Sequence, residues 1–208
     1  MQIKIQSLAI VLFVSIVLAG TAVSAAEMSS TAIPLCFIQN NGQTDEQALF
    51  FADAPGYTLY LTGNGQVMST ADAGAAVSIT YPGAGIAAVN GEDVLEGKAN
   101  FFIGNVEEEW VTDVPMYSTV RYDGLYDGVT LVYHGGKGVL KREFVIEPGT
   151  NPSVIKMEYA GQDSLILDES GAILIGTPAG MLIETAPICY QVVDGIQVEV
   201  PCGYVISG

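Results

Sequence analysis

Basic residues are scarce in this chain: 7 Lys and Arg face 23 Asp and Glu in 208 residues, a formal net charge of -16 at pH 7. A surface of that sign repels nucleic acid and anionic lipid, so nucleic acid is not an expected partner. There is one histidine (His134), one tryptophan (Trp110) and three cysteines. Any Ser-His-Asp or Cys-His mechanism would have to use His134. No G-x-S-x-G elbow is present, and no signature flanks a cysteine. The cysteines form no C-x₂-C unit and the acidic residues no D-x-[DN]-x-[DN]-G loop, so no metal site is expected. A Gly-rich phosphate loop and an N-x-[ST] sequon are also missing, and no cofactor is expected. No window of eleven or more residues keeps apolar positions at helical spacing.

What is present begins with an export signal. Lys4 precedes an apolar run at 8–19, and small residues follow at 23–26, the three-part plan of a secretory signal peptide. Residues 1–26 are therefore read as a signal helix, removed on export. If retained, the helix would be an anchor and the chain's one route into a membrane. Leu18-Ala19-Gly20-Thr21 lacks the cysteine of a lipobox. Residues 27–33 read as a flexible lead, and 34–208 as a single all-β domain. The expected location is extracellular or at the cell surface, or the periplasm in a Gram-negative cell. The roughly 180 remaining residues can bury about 70% of their unfolded surface.

The rest of the chain alternates short β-rich runs with turn residues. Its 24 glycines fall between the runs. Tyr57 to Thr62 and Gln66 to Ser69 flank Asn64-Gly65. Ile188 to Val193 and Ile196 to Val200 flank Asp194-Gly195. Val129 to Tyr133 and Leu140 to Ile146 flank Gly135-Gly136-Lys137-Gly138. With that four-residue loop, Tyr133 faces Leu140, Leu131 faces Arg142 and Val129 faces Phe144, all on one apolar face. Arg142 on that face needs a carboxylate or an escape to the sheet edge. Glu107 to Glu109 suit a solvated loop or one helical turn, and residues 84–96 a loop with a short strand. The predicted fold is an antiparallel β-sandwich, or a partly open barrel, of many short strands joined by Gly, Pro and Asp turns.

Three cysteines in an exported chain leave several pairings open. A two-residue Asp194-Gly195 turn puts Cys189 opposite Val200 and Cys202 diagonally across, joined only if Pro201 bulges. The alternatives are a bridge from Cys36 and three free thiols. Among aromatics, Trp110, Tyr117, Tyr122 and Tyr126 are the candidate ligand-binding residues, able to stack on sugar rings or grip a protein if they share an exposed face.

Several ordered motifs carry a family resemblance: Gln39-Asn40-Asn41-Gly42-Gln43-Thr44-Asp45, Gly97-Lys98-Ala99-Asn100-Phe101-Phe102-Ile103-Gly104-Asn105, Val114-Pro115, the hairpin at 129–146, and Glu147-Pro148-Gly149. Together they resemble the N-terminal domain of bacterial and archaeal cell-surface proteins with seven-bladed β-propeller (SBBP) repeats. His134 and Arg142 depart from that pattern, and the repeats are not in this sequence. The resemblance implies a place at the cell surface and no particular activity. The leading reading is a non-catalytic domain for structure, adhesion or interaction, with other surface proteins or polysaccharide as partners. A carbohydrate-binding module using Trp110 is the alternative. A secreted hydrolase, needing two carboxylates across a cleft, is the third.

Overall fold

The computed structural model describes residues 2–5, 11–19, 35–54, 56–70, 74–136 and 139–207. The small residues at 23–26, the lead at 27–33 and the Lys137-Gly138 pair lie outside them. The strands are β1 (Gln2–Ile5), β2 (Val11–Ala19), β3 (Phe37–Gln39), β4 (Ala48–Ala54), β5 (Tyr57–Thr62), β6 (Gly65–Ser69), β7 (Ala76–Thr80), β8 (Ala88–Phe101) and β9 (Val111–Tyr126). They continue with β10 (Val129–Gly136), β11 (Val139–Ile146), β12 (Glu158–Ala160), β13 (Ser164–Leu167), β14 (Ile173–Thr177), β15 (Gly180–Glu184), β16 (Ile188–Val193), β17 (Ile196–Val200) and β18 (Cys202–Val205). Two single 3₁₀ turns, Glu107–Glu109 and Pro152–Val154, complete the secondary structure of the described residues.

The fold is all-β, and its ladders are antiparallel. One large sheet runs in the order β12-β7-β6-β5-β4-β3-β9-β10-β11-β2-β15-β14-β13, while β1 pairs separately with β18. The sheet curls into a half-barrel. Curling brings distant strands around one core, in which Leu59 and Leu61 of β5, Ile79 of β7, Tyr122 of β9, Phe144 of β11 and Ile175 of β14 are all fully buried. Alternation does the sorting: β5 reads buried, half-buried, buried along its length, so Tyr57, Leu59 and Leu61 point inward.

Three expectations need correction. The central hairpin pairs Gly136 with Val139, so Tyr133 opposes Arg142, Leu131 opposes Phe144 and Val129 opposes Ile146. The slip is two residues. Because side-chain parity repeats every two residues, the face assignment survives. Thr62 pairs with Gly65, so the turn between β5 and β6 is Gly63-Asn64. Residues 88–101 form a 14-residue strand rather than a loop with a short strand, laid along β9.

The apolar N-terminal run is also not a helix. Val11–Ala19 is a strand inside the sheet, with β11 on one edge and β16 followed by β15 on the other. A continuous apolar run rich in Val, Ile and Phe suits a central strand as well as a membrane-length helix. Periodicity alone does not separate the two.

Candidate interaction site

The four candidate aromatics do not share a face. Tyr122 is fully buried, and its hydroxyl donates to the Thr62 carbonyl at 2.7 Å. Tyr126 is buried too, with its hydroxyl 3.2 Å from the carbonyls of Pro82 and Lys156 and accepting from the Lys156 N–H. Burial raises the pKa of both phenols, most strongly that of Tyr122. Tyr117 is half-buried, edge-on to Phe50 with ring centroids 5.8 Å apart. Its ring also covers Gly91, where an added Cβ would lie 2.6 Å from the ring carbons. A surface platform built from these tyrosines is therefore ruled out by packing: β9 lies between two partner edges, and its inward positions join the core.

Trp110 sits elsewhere, in the loop joining β8 to β9. Its backbone N–H donates to the Glu107 carbonyl and closes the 3₁₀ turn. The indole meets Phe102 edge-to-face, 5.1 Å between centroids at 81°. Phe102, Ile103 and Val106 beside it are exposed, Phe102 at 64%. Asn100 braces the stem by accepting from the Asp113 N–H at 2.9 Å, and Phe101 packs edge-on to Phe51 of β4. The result is an apolar tip bordered by Glu107, Glu108 and Glu109. Sequence reasoning found Trp110 but missed Phe102 and Ile103, because an apolar run after a strand reads as core.

A second apolar surface lies on β16 and β17. Val193 opposes Ile196, and Val198 is two positions farther along the same face. All three are exposed, as are Ile188 and Val192. Among the described residues β17 pairs with β16 alone, so its outer edge is open. The Cys189–Cys202 disulfide closes the base of this hairpin, with Cα atoms 6.1 Å apart, and Pro201 interrupts the strand between Val200 and Cys202. Cys36 is free.

The most unusual polar arrangement is internal. Arg142 of β11 and Glu184 of β15 are fully buried and joined through Nη2 and Oε1. Tyr204 donates to the same carboxylate oxygen and Tyr159 to the other, each at 2.7 Å. Above the pair, the hydroxyls of Tyr81 and Tyr133 meet at 2.8 Å. Burial holds the Tyr133, Tyr159 and Tyr204 phenols well above their usual pKa, and the nearby Glu184 charge pushes the last two further in the same direction. Glu184 is the carboxylate that Arg142 requires. His134, on the opposite face of the hairpin, is 3.0 Å from Glu143 at the surface. Two open clefts, one lined by Asp45 with Tyr60 and Thr62 and the other by Asp127 with Tyr126 and Lys156, carry one carboxylate apiece.

Residues 37–208 match a protein-family profile described as a domain of unknown function, DUF7948. The chain belongs to the DUF7948 family. The match begins at Phe37 of β3, so the DUF7948 region includes both apolar hairpins and the Arg142–Glu184 pair and leaves out β1 and β2. No curated protein and no solved structure matches the chain.

Proposed function

We propose that this DUF7948 chain is a non-catalytic domain of the cell exterior that works by holding other surface proteins. The observation that carries this reading is the apolar surface displayed at the β8–β9 tip, where Phe102, Ile103 and Val106 are exposed around Trp110. Exposed apolar clusters rimmed by charge are a common mark of protein–protein contact. The export signal and the resemblance to the N-terminal domain of propeller-bearing surface proteins support the cell exterior as its place of work.

The carbohydrate-module reading is weaker on geometry. Stacking on a sugar chain favours rings that present parallel faces, and Phe102 stands at 81° to Trp110. The discriminating measurement is acrylamide quenching of the single tryptophan, with and without envelope material. Protection that disappears when the envelope protein is digested, and that Phe102→Asp removes, is the expected result. Protection by purified polysaccharide alone would instead favour the carbohydrate reading.

A further inference from the structure

We propose that the position held by β2 is a strand-acceptor slot, which in the exported protein takes an extended, uncharged apolar segment of another polypeptide by β-strand addition. It rests on the export part of that reading and not on the role assigned to Phe102 and Trp110.

The slot is bonded on both sides. Residues 11–16 pair with 145–140 of β11, residues 11–13 with 190–188 of β16, and residues 16–19 with 184–181 of β15. Removing this one strand breaks the sheet path between β11 and β15 and opens three edges together. Unpaired ladder groups of that length, beside an apolar interior, are a template for another strand.

The width of the slot is fixed from below. Arg142 lies opposite Val14, and Glu184 lies opposite Ile16, so the buried pair joins the two flanking strands across β2. Two strand spacings are about 9.6 Å, a gap that Arg and Glu side chains span only when extended. Direct pairing of β11 with β15 would halve the gap, and both buried charges would have to fold back into a filled core. The pair therefore keeps room for a single strand.

The occupant comes from outside residues 35–207. Cleavage after residue 26, expected from the signal, takes β2 away, and the family match itself starts at Phe37. A second copy would lose the same segment, and among the strands that remain only β18, whose partner β1 leaves with residues 1–26, is left without a ladder; at 4 residues it is too short for the slot. A donor therefore needs about nine extended residues, β-branched or aromatic and without charge, as the seated VLFVSIVLA shows.

The test has two arms. First, the protein is purified from a host that exports it, and its intact mass is measured. A mass that begins after residue 26 is expected, and a chain retaining residues 11–19 overturns the proposal. Second, a site-specific protease sequence is inserted between residues 27 and 33 of the full chain, which is folded and then cut. The released fragment should exchange for a labelled peptide of residues 9–21. The same peptide with Val14→Pro and Ile16→Pro should bind at least about tenfold more weakly, since proline removes ladder donors. If the fragment leaves and the remainder loses amide protection in β11 and β15, added peptide should restore it. Unchanged protection without peptide, failure of peptide to restore it, a fragment that never exchanges, or equal binding of the proline peptide would each overturn the slot.

Discussion

Breaking the buried Arg142–Glu184 pair on one side should cost more stability than breaking an exposed ion pair. A buried pair broken on one side leaves a charge with no solvent, and that costs about 3–5 kcal/mol. Glu184→Gln should therefore lower stability by about that amount in urea unfolding, whereas Arg142→Met with Glu184→Leu should recover most of it. The exposed Arg121–Asp123 pair offers the control, since Asp123→Asn should change stability by less than about 1 kcal/mol. The tyrosines around the pair add a pH dependence. Tyr81, Tyr122, Tyr133, Tyr159 and Tyr204 keep their protons in the folded state above the ordinary phenol value of 10.0. Once unfolded, they ionise at that ordinary value. Their contribution is therefore complete below pH 10 and is lost as pH climbs from there toward the folded pKa values. Stability should be insensitive to them at neutral pH and fall steeply beyond pH 10, with Tyr133→Phe reducing the steepness. A flat profile through pH 11 would contradict this account.

At the scale of elements, turns and disulfide decide the hairpins. The Cys189–Cys202 bridge closes a short loop around β16 and β17, with 13 residues of sequence separation. Reduction, or Cys202→Ser, should cost about 3 kcal/mol and loosen β17 before the rest of the sheet; amide exchange would detect this directly. Gly135 is sensitive for a different reason. An added Cβ would lie 2.0 Å from the Leu35 carbonyl oxygen, where the chain entering β3 crosses the end of β10. Gly135→Ala should destabilise by about 1–3 kcal/mol, seen as a lower denaturation midpoint. The turn between β16 and β17 was legible because Asp194-Gly195 meets the demand for positive φ at both turn positions, 53° and 80°. The central turn was misread by two residues because four glycine-rich positions offered two loops with the same face parity. The length of β8 was not legible because it is an edge strand with no buried residue among the described residues, so neither apolar alternation nor burial marks it. The requirement of Arg142 for a carboxylate was legible; the partner was not, since Glu184 is 42 residues away. Nor does any local signal tell a core tyrosine such as Tyr122 from an exposed one.

For the whole molecule, the charge of -16 sets the long-range behaviour. Self-repulsion at that charge opposes compaction and is screened over about 8 Å at physiological salt. Melting temperature should rise as sodium chloride is raised from low to moderate concentration, and calorimetry across that range would show it. The position of β2 has a further consequence, set by the order in which the chain is made. Its residues are made before those of β11, β15 and β16, which lie more than a hundred residues farther along the chain (about 120 from Ala19 to Val139). A chain crossing a membrane by its N-terminal segment has that segment engaged while β11, β15 and β16 emerge. On the export route proposed above, β11, β15 and β16 wait, and the proposed slot closes at a time and place set by when a filling strand arrives and not by the domain alone.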